Sequence, residues 1–252
     1  MALLPTNIVI IGTGKVAKAF VQFFLKTKGV NITVIGRNVK KLKDFELCFS
    51  VNTSDDFNDS SVDWAIVAVS DDALKEVIPK IKARWISLAA ATADYRIYGP
   101  NCSILYPLQT FASNSDIALE SVPFIVDGDE IAMEKVRCWT KKLSLKTQHL
   151  SLVEREKMHL VAVFLNNFVH HLLAKGINLA KEYQLNPAIY IALINETFER
   201  FDINDPFSQQ TGPAERNDEI TMNTHRKYLL EADLKLYNML SSSIKLAKDE
   251  KL

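Results

Sequence analysis

The sequence has no excess of either charge, few cysteines and no long apolar run. Lysine plus arginine and aspartate plus glutamate number 30 each among 252 residues. This balance argues against a nucleic acid or an anionic membrane recognised through bulk charge. Cys48, Cys102 and Cys138 lie far apart, match no metal-binding spacing and suit a reducing compartment. We interpret them as small buried hydrophobic residues, and we expect no bound metal.

No segment resembles a targeting signal or a membrane span. The N-terminus lacks a basic region followed by a long apolar run, so no signal peptide is expected. No stretch approaches about 18 uninterrupted apolar residues, so no membrane span is expected. Repeats and low-complexity tracts are also missing. The sequence therefore predicts a cytoplasmic protein of one large or two ordinary domains.

The most informative stretch runs from Asn7 to Ala17, where a short apolar run leads into a glycine-rich turn and a helical pattern. Gly12 permits the tight turn, Gly14 lets a pyrophosphate approach the backbone, and Ala17 lets the helix pack close to the sheet. The helix N-terminus offers free N–H groups and a partial positive charge to phosphates. The alternative is a glycine turn in another α/β protein, but the flanking strand and helix are the context that a dinucleotide site requires.

The end of the second strand indicates which dinucleotide binds. An NAD site usually has Asp or Glu there to accept a hydrogen bond from the ribose 2′-hydroxyl. This chain has Gly36-Arg37-Asn38, with Lys40 and Lys41 close behind. Arginine presents a planar fork of donors that suits a 2′-phosphate. We therefore predict NADP as the cofactor and Arg37 as the residue that selects it, the alternative being a solvated basic turn.

Strand and helix patterns alternate in the first half, which predicts an α/β fold with a doubly wound parallel sheet of the Rossmann type. We place this NADP-binding domain at residues 1–150. The predicted strands are 7–12, 31–36, 48–52, 64–69, 85–89, 122–127 and 143–149, with an irregular stretch before residue 106. The predicted helices are 15–27, 39–45, 72–83 and 129–142.

The apolar run 64–69 is typical of a central parallel strand, and its carboxyl end should face the cofactor cleft. Asp72 beyond it is predicted to be the N-cap of the next helix. The predicted cofactor contacts lie at the glycine turn and at the ends of these strands: Gly12, Thr13, Gly14, Lys15, Val16, Arg37, Asn38, Val69 and Ser70.

From Leu152 the composition changes to long helical patterns, which predicts an all-α second domain at 151–252. The segment 154–179 is apolar on nearly every side, a pattern typical of a buried helix surrounded by neighbours or by a second subunit. We therefore predict a homodimer formed through the helical domain. A second helix should begin at Asn186-Pro187 and end near Phe201, and a last helix should span 219–247.

Three polar clusters stand out as candidate substrate sites. On the long helix, His159, Asn166 and His170 recur at helical spacing, and Asn167 borders them. Buried amides need partners, because an unsatisfied one costs on the order of 1–3 kcal/mol. Asn166 and His159 could face the nicotinamide as catalytic residues; bonds to neighbouring helices or across a dimer are an equal alternative.

The second cluster is the polar run 210–218, in which Thr211, Arg216 and Asp218 are predicted to bind substrate. Asp218 is also expected to be the N-cap of the last helix. Arg216 would hold an anionic group, and His225 could move a proton near neutral pH. The alternative is a capped loop with a surface histidine.

The third cluster is Tyr106 to Phe111, after the fifth predicted strand. Its position favours the mouth of the cofactor cleft, where Gln109 and Thr110 could donate hydrogen bonds to a substrate. Turn and packing roles for these two residues are equally open.

Together these motifs resemble a bacterial family of Rossmann-like NADP oxidoreductases with a C-terminal helical domain of uncharacterised role. The family is similar in layout to pyrroline-5-carboxylate reductases and β-hydroxyacid dehydrogenases, in which a Rossmann domain precedes a dimerising helical domain like that of 6-phosphogluconate dehydrogenase. The resemblance covers nearly the whole chain and is carried by the turn 12–14, the segments 106–111 and 159–168, and the spaced motif at 211–225.

The resemblance implies an NADP-dependent oxidoreductase with a small-molecule substrate. β-Hydroxyacid dehydrogenases carry a catalytic lysine one turn before an asparagine on the first long helix. Val163 occupies that place before Asn166 here, which leaves His159 or His225 as the expected proton donor. Two functions stay open: an NADPH-dependent reductase of a small carbonyl or imine compound, and a protein that senses NADP without turnover.

Overall fold

The computed structural model describes residues 7–55, 62–111 and 117–249. Their strands are β1 (Asn7–Ile11), β2 (Asn31–Ile35), β3 (Asn52–Ser54), β4 (Trp64–Val67), β5 (Trp85–Leu88), β6 (Cys102–Pro107), β7 (Pro123–Gly128) and β8 (Lys146–His149). Their helices are α1 (Lys15–Leu25), α2 (Val39–Phe49), α3 (Asp71–Val77), α4 (Glu130–Lys142), α5 (Leu152–Ala162), α6 (Val169–Glu182), α7 (Ile191–Glu199), α8 (Glu219–Arg226) and α9 (Glu231–Asp249).

The described strands form one sheet in the order β3-β2-β1-β4-β5-β6-β7-β8. Neighbouring strands are parallel except for β6 and β7, which are antiparallel. The predicted Rossmann-type α/β fold is therefore confirmed. The central pair β1 and β4 aligns Ile11 with Val67 at its carboxyl end. Because the chain leaves β1 toward β2 and reaches β4 on the other side, a ligand cleft is expected at this switch point.

Helix α1 is held on the sheet by its aromatic face. Phe20 and Phe24 are fully buried, and the ring of Phe24 meets that of Trp64 on β4 edge to face at 6.0 Å between centroids. Ala17 is also completely buried, which lets the helix lie close to the strands. Burial of such side chains contributes roughly 1.5–3 kcal/mol each. This packing fixes the N-terminus of α1 at the carboxyl edge of the sheet.

The structure corrects four predicted elements. The strand predicted near 48–52 begins later, as β3 at Asn52, because α2 continues to Phe49. The stretch expected to be irregular contains β6, which joins the sheet because its mostly apolar residues are buried on both faces. Asp72 is not an N-cap: α3 begins at Asp71 after Ser70, so Asp72 is the second helical residue. The last predicted helix is broken between α8 and α9, where the carbonyl of Tyr228 accepts a hydrogen bond from the hydroxyl of Tyr183.

The chain divides into two compact units, Met1–Leu172 and Leu173–Leu252. The boundary between the two domains stays a prediction at 150/151; α5 is grouped with the sheet unit because Arg155 contacts the loop after β5. The division falls within the helical stretch Leu152–Glu182, which consists of α5, a π-helical segment (Val163–Phe168) and α6.

The long helix was expected to be covered either by neighbouring helices of its own chain or by a second subunit. The described part of its own chain does not bury it. In α5, the π-helical segment and α6, only Arg155 and Ala180 are buried. Phe164 and Leu165 are 60% and 66% exposed. Among the described residues, the stretch Leu152–Glu182 is long and apolar enough to cross a membrane by length and composition alone, which is weak evidence because helices of soluble proteins pass the same test.

Candidate active site

The turn after β1 is built around Gly12. Its backbone has φ +127°, which L side chains rarely adopt, and its N–H donates to the carbonyl of Ile35 at 2.8 Å. A Cβ at this position would lie 2.3 Å from the carbonyl oxygen of Ala68. Both the dihedral angle and the close approach therefore require glycine here.

The N-terminus of α1 is left open by its own sequence. Gly14 is the N-cap residue, no side chain caps the helix, and the first turn has no acidic residue. The first N–H groups, including those of Lys15 and Val16, have no partner within the helix. A Cβ on Gly14 would meet nothing within 4 Å. These donors and the space in front of them fit the approach of a phosphate.

A cavity of about 370 Å³ lies over this turn at the carboxyl edge of the sheet. Of the predicted cofactor contacts, the following line it: Gly12, Thr13, Gly14, Arg37, Asn38, Val69 and Ser70. Lys41 on α2 lines it as well, and Asn38 accepts a hydrogen bond from the N–H of Lys41 at 3.0 Å as the N-cap of that helix. The glycine turn, the open helix end and the two basic side chains fit the phosphates of a dinucleotide.

Arg37, at the rim of this cleft, forms an ion pair with Glu76. Its Nη1 lies 3.3 Å from Oε2 of Glu76 on α3, and Glu76 also pairs with Lys80 at 3.2 Å. The side chains of Arg37 and Glu76 are 68% and 56% exposed, so this ion pair contributes on the order of 0–1 kcal/mol. The guanidinium can therefore exchange Glu76 for a bound phosphate at little cost.

Glu76→Gln is expected to tighten NADPH binding about threefold, because a carboxylate beside a 2′-phosphate repels it and competes for Arg37. Fluorescence titration at low salt measures this effect, which should shrink as salt is added. NADH affinity should stay unchanged, as should NADPH affinity of the control Glu134→Gln on α4. An equal gain for NADH would contradict this placement of the phosphate.

A second cavity, of about 450 Å³, lies within the first unit where the chain leaves β6. Four predicted site residues line it: Gln109, Thr110, His159 and Asn166. The hydroxyl of Thr110 donates to Oδ1 of Asn166 at 2.8 Å, which joins the loop after β6 to the long helix. This bond leaves the Asn166 NH₂ group as a donor for a ligand oxygen or nitrogen.

The two asparagines of the long helix lie in its π-helical segment, Val163–Phe168. Such widened turns occur often at functional sites. The extra residue in the turn changes the periodicity that the sequence analysis assumes. Asn166 and Asn167 both line the cavity with His159, whereas His170, predicted on the same stripe, is not among the lining residues.

The other predicted substrate contacts belong to the second unit. Asp218 is the N-cap of α8, as predicted, and accepts from the N–H of Thr221 at 3.0 Å and from its hydroxyl at 2.7 Å. These two bonds, the backbone one first, lower the pKa of the Asp218 carboxyl below its usual range. Nδ1 of His225 lies 2.9 Å from the hydroxyl of Tyr237 on α9. Thr211 and Arg216 lie in the loop before α8.

Two family models match separate parts of the chain. Residues 7–88 match the family described as NADP oxidoreductase, coenzyme F420-dependent, and residues 122–244 match a domain of unknown function, DUF2520. The chain joins an NADP oxidoreductase domain to a DUF2520 domain. The predicted resemblance is therefore confirmed. A search of curated protein sequences finds no relative of the chain.

Solved structures extend this likeness over the whole length. A Bacteroides fragilis protein proposed to be an NADP oxidoreductase is 25% identical, with a TM-score of 0.85 and coverage of 95% of this chain and 98% of that chain. An imine reductase from Streptomyces aurantiacus is 15% identical, with a TM-score of 0.66 and coverage of 95% and 96%. Pyrroline-5-carboxylate reductase from Streptococcus pyogenes is 13% identical, with a TM-score of 0.63 and coverage of 95% and 98%. The last two likenesses concern the fold alone.

The cofactor cleft lies within the NADP oxidoreductase domain, and the second cavity combines the loop 106–110 with residues of the DUF2520 domain. Within the described ranges, no group of three or more His, Cys, Asp or Glu residues could hold a metal ion. The second cavity offers amide and hydroxyl groups at the carboxyl end of β6, in the same sheet whose carboxyl edge carries the first cavity.

Arg155, at the start of the DUF2520 helices, is a structural residue of this site that the sequence analysis does not identify. Its side chain is completely buried, with Nη1 donating to the carbonyl of Ala93 at 3.0 Å and Nη2 to Oδ2 of Asp127 at 3.1 Å. Nη1 also donates to the carbonyl of Ala91. These bonds tie the first turn of α5 to the loop after β5 and to β7. They fix the helix that carries His159 one turn later.

Proposed function

We propose that the protein is an NADP-dependent reductase that acts on a small carbonyl or imine compound. The observation that carries the proposal is the second cavity, in which Thr110, His159 and Asn166 meet beside the carboxyl edge of a Rossmann sheet. When bound, NADPH would supply two electrons and one hydrogen to the substrate carbon. Its phosphates would bind at Gly14 and its 2′-phosphate at Arg37 and Lys41.

The residues of the second cavity would orient the substrate. Asn166, held by Thr110, would donate from its amide to the carbonyl oxygen or imine nitrogen. Gln109, whose Oε1 accepts from the N–H of Thr110 at 2.8 Å, would keep this loop in place. The names of two similar structures, imine reductase and pyrroline-5-carboxylate reductase, favour a carbon–nitrogen double bond as the reacting group.

We also propose that Thr211, Arg216 and Asp218 bind a polar group of the substrate, with His159 and His225 as the histidine candidates for a proton carrier. Arg216 is the cation of this cluster, and the charge of Asp218 is partly satisfied by its cap bonds. An anionic substrate group would therefore find Arg216 available as a partner. The pairing of His225 with Tyr237 gives its ring a fixed orientation.

A homodimer through the helical domain is part of the same proposal. Among the described residues of the second unit, only Ala180, Ala214, Met222 and Ser241 are buried. Meanwhile Leu193, Ile220 and Leu230 are 65%, 83% and 79% exposed. A helical unit with so few buried side chains cannot offset the entropy of folding alone. Apolar area of this extent is typical of an interface between obligate partners.

The polar residues of the long helix favour a second copy of the chain over a lipid bilayer. Asn166, Asn167 and His170 lie in the middle of the stretch Leu152–Glu182. Polar side chains at the centre of a bilayer are costly, whereas a protein interface can provide them with partners. The exposed apolar face of this helix is therefore best covered by protein.

Sedimentation velocity without detergent is expected to give twice the mass of the chain. Leu193→Glu and Ile220→Glu should shift the protein toward monomer, because each places a charge in the apolar interface. Ile97→Glu is the matched control, since Ile97 is 61% exposed in the first unit. A monomeric wild type, or a protein that floats with anionic vesicles, would contradict the proposed dimer.

The proposed activity is tested by titrating NADPH and then screening small aldehydes, ketones and cyclic imines for NADPH oxidation. Coenzyme F420 belongs in the screen because the matching family is named for it. Saturable binding with turnover supports the reductase, and Asn166→Ala should then lower kcat/KM about 100-fold while His170→Ala leaves it unchanged. Binding without turnover would favour the NADP sensor. The failure of NADPH to bind would exclude both.

A further inference from the structure

Tyr106 is the ionisable side chain that β6 brings to the second cavity. It lies near the end of β6, is half-buried, and lines the same cavity as Thr110 and Asn166. Its ring packs against the apolar cluster that covers one face of the sheet. The side chain is therefore anchored by the core, and it reaches the cavity from the sheet side rather than from the helix.

The charged group that acts on Tyr106 is the Asp71 carboxylate. Asp71 follows Ser70 directly, and Ser70 and Ala73 line the cofactor cleft. Burial raises the pKa of the Tyr106 phenol above its ordinary value, and the Asp71 carboxylate raises it further. The hydroxyl thus stays protonated at neutral pH, and the Asp71 carboxylate that acts on it is next in sequence to Ser70 of the cofactor cleft.

We propose that Tyr106 is the proton donor of the reaction, an inference that rests on the proposed reductase function. As the substrate carbon is reduced, the electron pair of its double bond moves to the nitrogen or oxygen. The Oη–H bond of Tyr106 breaks, and a new N–H or O–H bond forms on the substrate. The tyrosinate then takes a proton from water, and NADPH is the species oxidised.

The alternative donor within this cavity is His159, and its setting is less suitable. His159 is exposed, whereas Tyr106 is half-buried and anchored by the core. A donor held in a protected position needs little rearrangement when the substrate gains charge. The substrate atom that gains the electron pair is strongly basic, so a phenol is acidic enough to protonate it.

The proton position can be tested without turnover by NMR of ¹³C-labelled tyrosine. Tyr106→Phe assigns the signal, and its pH titration is compared with NADP⁺ or NADPH bound. The oxidised nicotinamide ring is positively charged and should lower the pKa of Tyr106 by about one unit relative to the NADPH complex. The matched control is Tyr98, whose phenol also feels burial and Asp71 but does not line the cavity. Its pKa should not respond to the ring charge.

In the activity assay, Tyr106→Phe is expected to lower kcat about 100-fold and to leave the Kd of NADPH within twofold. Tyr98→Phe should change neither quantity. An unchanged kcat in Tyr106→Phe would overturn this assignment, and so would a Tyr106 pKa that is the same with NADP⁺ and NADPH bound. Either result would leave the proposed reductase function standing. Failure of NADPH to bind the wild type would instead remove the proposed function, and the inference with it.

Discussion

Gly14→Ala is expected to weaken NADPH binding about 100-fold without destabilising the fold. The added Cβ meets no protein atom within 4 Å, and the backbone dihedral angle of Gly14 is one that alanine adopts readily. The methyl group would instead occupy the space in front of the α1 N-terminus, where the pyrophosphate must approach the backbone. Fluorescence titration gives the Kd, and thermal unfolding without cofactor gives the stability.

Gly12→Ala is the matched control, and unlike Gly14→Ala it is expected to destabilise the fold. Its Cβ would meet the carbonyl of Ala68 at 2.3 Å, and its φ of +127° is strained for any L side chain. These two effects should lower the free energy of unfolding by about 3 kcal/mol. A loss of stability in Gly14→Ala, or NADPH binding unchanged there, would contradict the phosphate position.

Arg37→Asp is expected to weaken NADPH binding about 100-fold and to strengthen NADH binding. The substitution removes charge-assisted hydrogen bonds to the 2′-phosphate, worth about 1.5–3 kcal/mol, and adds repulsion. It also places a carboxylate where the 2′-hydroxyl of NADH can donate. Parallel titrations with both nucleotides measure the change in preference.

Two further variants locate the origin of that change. Arg37→Gln removes the charge without reversing it and should cost NADPH about tenfold in affinity. Arg84→Asp, at a position outside the residues lining the cleft, should alter neither affinity. If Arg37→Asp lowers the affinity for NADPH and for NADH equally, then Arg37 has a structural role in the cleft and does not bind the 2′-phosphate.

Most strands of the sheet could be predicted from sequence because they consist largely of apolar residues bounded by turn residues. The run from Trp64 to Val67 is one example, and all four of its residues are buried. Strand β6 was not predicted, although like β5 it has a serine among mostly apolar residues. Ser103 is nevertheless buried, because its hydroxyl lies 2.9 Å from that of Ser87 and donates to the carbonyl of Ile86. Such a cross-strand partner cannot be read from a local pattern.

Only part of the candidate site follows from local sequence. Gly12 and Gly14 belong to a motif with fixed spacing, so their place in the cleft could be predicted. Arg155 could not, because its partners at Ala93 and Asp127 are distant in sequence and become neighbours only in the folded sheet. The π-helical turn at 163–168 could not be predicted either, since a helical periodicity assumes a constant number of residues per turn.

The shortage of buried side chains in the second unit has a thermodynamic consequence. If a second copy of the chain provides the missing core, folding of this unit and association are one equilibrium. The melting temperature should then rise with protein concentration, as mass action requires. Dilution would favour unfolding of the helical unit first, while the sheet unit keeps the apolar core built around Trp64 and Phe24.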